Sequence, residues 1–350
     1  MAYSSITNPR NFMNTVLYTG NGGTQSITLD GLNNMQPDWV WMKERSETRG
    51  HNIQDSVRGA TKYIDSRSNA AQATVSNTLT SFNSNGFSLG SYDDVNKSSQ
   101  TYVAWNWKAG TSFTNDASST GIGSMDSAGS VNEEAGFAIV SYTGNETAST
   151  LKHGLSTVPQ MIIVKGRIAA RDWVVGQHTQ GWTKSAYLNE TNAFTNQTHW
   201  NNTAPTSSVF TIEGGSNSNV NTNNAAYISY IFSERQGYSK FGSYVGNGNA
   251  NGAFIYTGFK PAFIMVKKAN NTGGWQLRDN KRTTFNLLTN LLYANSTSAE
   301  QTTDGIDFLS NGWKLRNSAG DNNASGDTYI YMAFAEEPFV ASNFNTATAR

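Results

Sequence analysis

Large and small side chains alternate with a period of two through TYVAWNW from Thr101, AYISYIF from Ala226 and TYIYMAF from Thr328. That period belongs to a sheet strand, whose successive side chains point to opposite faces, and not to a helix. Continuous apolar runs stand at Trp39 to Met42, Met161 to Val164 and Phe263 to Val266. Runs this short, rich in β-branched and aromatic residues, suit central strands covered on both faces. The stretches between are dense in Gly, Asn, Ser and Thr, the residues of polar turns. The pattern therefore predicts an all-β chain of short strands.

The same pattern is written three times. YTGNG at Tyr18, YTGNE at Tyr142 and YVGNG at Tyr244 are each followed by a proline, Pro37, Pro159 or Pro261, and by an apolar run closing on Lys43, Lys165 or Lys267. HNIQD from His51, WVVGQ from Trp173 and WQLRD from Trp275 then follow at one spacing from the proline. SFNSNGFSLG, SSVFTIEG and FLSNGWKL precede the three alternating strands. A repeat of about 100 residues is domain-sized, whereas propeller blades recur at about 40 to 45, so three tandem antiparallel β-sandwich (jelly-roll) repeats are expected. Their predicted spans are 1–110, 136–237 and 238–350. Residues 111–135, small, polar and aperiodic, read as a flexible linker. The close join around Gln236 to Lys240 predicts that the second and third repeats pack as a unit with the first offset, while an approximate threefold of the three within one chain stands beside it.

Composition narrows the function. The chain has 350 residues with 25 basic and 25 acidic side chains, and only 14% are charged. No electrostatic footprint for nucleic acid or an anionic membrane results. Cysteine is absent, which excludes disulfides, thiolate zinc sites and cysteine nucleophiles. The start MAYSSITNPRNF lacks the features of a signal peptide and no apolar run nears the roughly 20 residues of a membrane span, so a soluble protein made in a cytoplasm is expected.

Candidate chemistry is sparse. His51, His153, His178 and His199 show no metal-ligand or nucleophile-base spacing, and His51 stands where the other repeats carry Trp173 and Trp275, a packing position. Glycoside hydrolysis needs two cooperating carboxylates. Glu133 with Glu134 and Glu336 with Glu337 are sequence neighbours, which face opposite ways on a strand, and Asp55 is matched by Gln177 and Asp279. No enzyme is expected and no cofactor. Calcium is weighed at Asp93, Asp94 and Asn96 and at Asp321, Asn322, Asn323 and Asp327, against the simpler reading of polar turns. Gly20, Gly144 and Gly246 read as glycines that supply backbone angles other residues resist. The one candidate ligand contact is Trp200, in the loop TNQTHWNNT unique to the second repeat, where an exposed indole would stack on a sugar ring; a side chain folded back on its own sandwich is the alternative.

YTGNG, QPDWVWMKERS, DSVRG, LTSFNSNGFSLG, YVAWNWKAG, AGFAIVSYTGNE and HGLSTVPQMIIVKGR together resemble an uncharacterised family of virion proteins of tailed phages, often marine ones. The resemblance covers most of the chain and is weakest in the third repeat. It implies concanavalin-A-like jelly rolls and a non-enzymatic virion component, a tail fibre or appendage that recognises a host-surface glycan or envelope component. Other virion proteins are the implied partners, as an oligomer in the particle. A head-decorating or connecting protein and a polysaccharide-degrading enzyme are the alternatives. No heptad pattern points to a coiled coil.

Overall fold

The computed structural model describes residues 4–216 and 218–338; the last part of the span expected for the third repeat, 339–350, lies outside the described residues. The described residues are nearly all-β and β-sandwich-like, with six sheets and three one-turn α-helices among them.

Each sequence repeat places its proline strand between the same two neighbours. In the first, Trp39–Glu44 pairs antiparallel with Thr101–Trp107 and with His51–Asp55. In the second, Met161–Gly166 lies between Ala226–Phe232 and Val174–Gln177, and in the third Phe259–Lys268 lies between Thr328–Pro338 and Trp275–Asp279. A smaller pairing covers each: Gln25–Thr28 with Gly86–Leu89, Ser149–Lys152 with Val209–Ile212, and Phe254–Tyr256 with Gly312–Leu315.

Side-chain alternation divides the apolar runs between two cores. Val40, Met42 and Ala104 join Phe87 and Leu89 inside the first repeat; Ile162, Val164 and Phe210 do so in the second, and Ile264, Val266 and Trp313 in the third. The alternate residues, Trp39, Trp41, Trp105 and Trp107, meet Ile163, Tyr230 and Phe232 and also Phe263, Met265 and Phe334 in one shared central core. Trp39 stacks on Tyr230 with ring centroids 4.5 Å apart, and Trp107 meets Phe263 edge-on at 5.5 Å. This is why the runs are apolar on both faces. Burial of a large aromatic side chain contributes on the order of 2–3 kcal/mol each, so the centre is a major part of the stability.

One set of hydrogen bonds recurs at all three seams. Lys43 Nζ donates to Thr297 O, Lys165 Nζ to Asn69 O and Lys267 Nζ to Thr191 O. The backbone N–H of Arg49, Arg171 and Gly273 donates to those same three carbonyls. Glu300, Gln72 and Phe194 return a backbone bond to Arg45, Arg167 and Ala269. The first repeat thus holds the third, the third holds the second and the second holds the first. The expectation of an offset first repeat is corrected: all three close into a ring, because each inward aromatic face needs the other two to cover it.

The stretch expected as a linker is also different. Thr111–Asn115 and Ser127–Asn132 form a hairpin that pairs on to Phe137–Thr143 and widens the second repeat's sheet. Phe113 and Val131 pack against that repeat's core, which anchors an otherwise polar segment.

Candidate functional site

The YTGNG turns are structural. Asn96, Asn221 and Asn323 are buried, and their side-chain oxygens accept the backbone N–H of Asn21, Asn145 and Asn247. Their amides donate onward to carbonyls of the turn and of the preceding loop, such as Gly23 O and Gly90 O for Asn96. Two of the oxygens weighed for calcium are therefore committed to the turns. Arg49 lies 3.5 Å from Asp93 and 3.3 Å from Asp94, while Lys268 pairs with Asp327 at 2.9 Å. Among the described residues no group of three or more His, Asp or Glu could hold a metal ion.

The histidines are held by the fold. Trp41 Nε1 donates to His51 Nδ1 at 2.8 Å, and since an indole N–H only donates, His51 carries its proton on Nε2 and gives it to Tyr293 O at 3.0 Å. Complete burial, with Lys43 nearby, pushes His51 down to about 3. Trp173 and Trp275 fill the same place, donating to Asp65 O and Tyr187 O. His153 accepts from Leu155 N–H, faces Thr206 O and is pushed down to about 4 by burial. His178 faces Phe241 O at 2.8 Å. His199 lies 3.9 Å from Glu213, but Ser218 Oγ donates to Glu213 and not to the imidazole, so no nucleophile-base pair forms.

Trp200 does not reach solvent. It is 1% exposed and meets Trp182 edge-on at 5.5 Å, with both rings over Gly176, where a Cβ would come within 2.6 Å of Trp200. Its loop folds back because that glycine leaves an indole-sized gap in the second repeat's core. Of the two readings of Trp200, the structure has the side chain folded back on its own sandwich, in the core and not at a ligand.

A large concave surface lies instead on the hairpin that extends the second repeat. A broad polar groove of 780 Å³ is lined by Asn115, Ser127, Ser141, Thr143, Asn145 and Arg167, among others. The short helix Ala117–Thr120 beside it is capped by Asp116, whose oxygens accept from Ser118 and Ser119 and hold its carboxyl below the usual range. Asp126 accepts from Ala117 N–H at 2.8 Å. Arg167 is half-buried, held by Gln72 at 3.1 Å, with one face turned to the groove. Hydroxyls, amides and a fixed guanidinium along an open trough can exchange hydrogen bonds with a hydroxyl-rich ligand. Sequence reasoning missed the groove because its walls are small polar residues; the isolated apolar Phe113 and Val131, which anchor the hairpin, were the available signal.

A family model described as a domain of unknown function, DUF7483, matches residues 8–338. The chain belongs to the DUF7483 family. The single match runs through all three sequence repeats and the hairpin between the first two, so the DUF7483 unit comprises the whole ring and not one repeat. No curated protein and no solved structure matches this DUF7483 chain.

Proposed function

We propose that this DUF7483 chain is a non-enzymatic component of a phage particle, three jelly-roll sandwiches of the concanavalin-A-like kind joined in a ring, placed in a tail fibre or other tail appendage. There it recognises a host-surface glycan or envelope component. The observation that carries the reading is the contrast between a ring whose seams and histidines are committed to packing and an open polar groove suited to sugar hydroxyls. The virion setting is supported by the motifs shared with tailed-phage proteins.

The recurrence of one hydrogen-bond set at three seams favours a second reading, a head-decorating or connecting component, since a ring closed alike at every internal seam suits a rigid structural block. Antibody labelling of intact particles, viewed by electron microscopy, separates the two. Signal at a distal tail appendage supports recognition. Signal on the head or at an internal joint sinks it and leaves a structural role.

A further inference from the structure

The strand Phe254–Tyr256 carries an exposed aromatic pair that the corresponding strands of the other repeats lack. Ile255 points inward and pairs with Trp313, as Ile27 pairs with Phe87 and Leu151 with Phe210 in the other repeats. The outward neighbours at the same register are Ser26 and Thr28 in the first repeat and Thr150 and Lys152 in the second. In the third they are Phe254 and Tyr256, 45% and 49% exposed. Two copies of the same strand manage with polar side chains, so packing does not call for this aromatic pair.

Its surroundings are basic. Lys314 stands directly opposite Phe254 across the strand pair, and Gly312, opposite Tyr256, leaves room for the Phe254 ring, which a Cβ there would approach to 3.0 Å. The Lys240 ammonium lies 5.5 Å from the Tyr256 ring centroid. Asp307, the cross-strand neighbour of Lys314 on its other side, is engaged by Arg316 at 3.3 Å. Lys314 Nζ donates to Gly252 O, and among the described residues neither lysine forms an ion pair with a carboxylate.

We propose that this face is a second binding site, for an acidic oligosaccharide. Residues two apart on a strand sit about 6.8 Å apart on one face, at a rise of about 3.4 Å each, so two aromatic rings offer platforms for successive sugar rings. Lys240 and Lys314 supply the charge complement for carboxylates on those sugars. The site rests on the glycan-binding reading for its biological role but is independent of the groove.

The test is calorimetric titration of the full chain with oligogalacturonate and with oligosialate, using dextran as the neutral control. Binding of one acidic probe that weakens with added salt is expected, while any dextran binding is insensitive to salt and to the substitutions below. Phe254→Ser with Tyr256→Thr, the residues that the first repeat tolerates, should lower affinity at least tenfold, and Lys240→Gln with Lys314→Gln should remove the salt dependence. Leu32→Ser, an exposed residue of the first repeat outside both sites, should leave acidic-probe binding unchanged. No binding of either acidic probe, dextran binding that the aromatic substitutions weaken as much, or acidic-probe binding unaffected by the aromatic substitutions overturns the proposal. So does a dimer that the aromatic substitutions convert to monomer, which would assign the face to a second copy. Head labelling of particles alongside acidic-probe binding would reject the tail reading and leave this site standing.

Discussion

Asp55 and Arg58 form a fully buried ion pair, and Asp55 Oδ2 also accepts the Tyr230 hydroxyl of the second repeat at 2.8 Å. Asp279 repeats the arrangement with Arg282 and takes a hydrogen bond from Trp105 Nε1 of the first repeat at 3.0 Å. The second repeat has Gln177 and Gln180 at these places, and the position that holds Trp105 and Tyr230 holds Met332 in the third. The acid therefore occurs where the neighbouring repeat offers a donor and is missing where it offers a thioether. A buried carboxylate without partners would be costly, so each seam matches charge to its own neighbour. Asp55→Asn leaves the Arg58 guanidinium uncompensated, and chemical denaturation should show a loss of about 3–5 kcal/mol. Gln177→Ala, which strands no charge, should cost markedly less.

At the scale of the element, the glycine of each YTGNG turn answers to proximity and not to backbone angle. A Cβ on Gly20 would stand 2.1 Å from Lys97 O, and on Gly144 or Gly246 2.3 Å from Thr222 O or Ala324 O. The left-handed backbone falls two residues later, at Gly22, Glu146 and Gly248, with φ of 70°, 61° and 65°. The reading of Gly20, Gly144 and Gly246 as suppliers of unusual angles is corrected accordingly. Gly20→Ala must push apart the turn and the loop that Asn96 ties together, and a melting temperature lowered by several degrees is expected. Gly320→Ala, where a Cβ meets nothing within 4 Å and φ is ordinary, should be near neutral or slightly stabilising.

Strand positions and their recurrence are legible in the sequence because alternation and apolar runs are local signals. Which face looks where is not: Trp39 and Val40 are both apolar, yet one enters the shared centre and the other its own repeat, a distinction set by chain segments 100 and more residues away. The exposed pair Phe254 and Tyr256 is hidden for a related reason. Only the register against Trp313 tells that Ile255 is the inward residue.

At the scale of the whole molecule, the central core corrects the idea that each repeat is complete by itself, since Trp39, Trp41, Trp105 and Trp107 are 1% exposed or less only because the other two repeats cover them. The seam lysines give the ring a pH signature. Burial pushes Lys43, Lys165 and Lys267 each down to about 8, below the unfolded value of about 10.4. Below pH 8 the folded chain bears the full cost of three buried charges. Between pH 8 and about 10 the unfolded chain holds more protons than the folded one, so stability rises with pH. Tyr18, Tyr142 and Tyr244, whose hydroxyls desolvation pushes well above their ordinary value, reverse the trend above about pH 10. Melting temperature should therefore climb from pH 7.5 to 9.5 and fall beyond, and Lys43→Met, Lys165→Met and Lys267→Met together should flatten the climb.

Ring closure makes chain order and spatial order separate matters. Ser4 and Pro338 both press against Gly237, where a Cβ would come within 2.6 Å of the one and 3.3 Å of the other, so the two ends of the described chain arrive at one spot on the join between the second and third repeats. A circular permutant with these ends linked and a new opening cut at Gly110, whose side-chain space is bounded only by Lys108 at 3.8 Å, should regain the same ring. Its native-like near-ultraviolet circular dichroism, dominated by the central tryptophans, would show that the assembly is held by its seams and is indifferent to where the polypeptide begins.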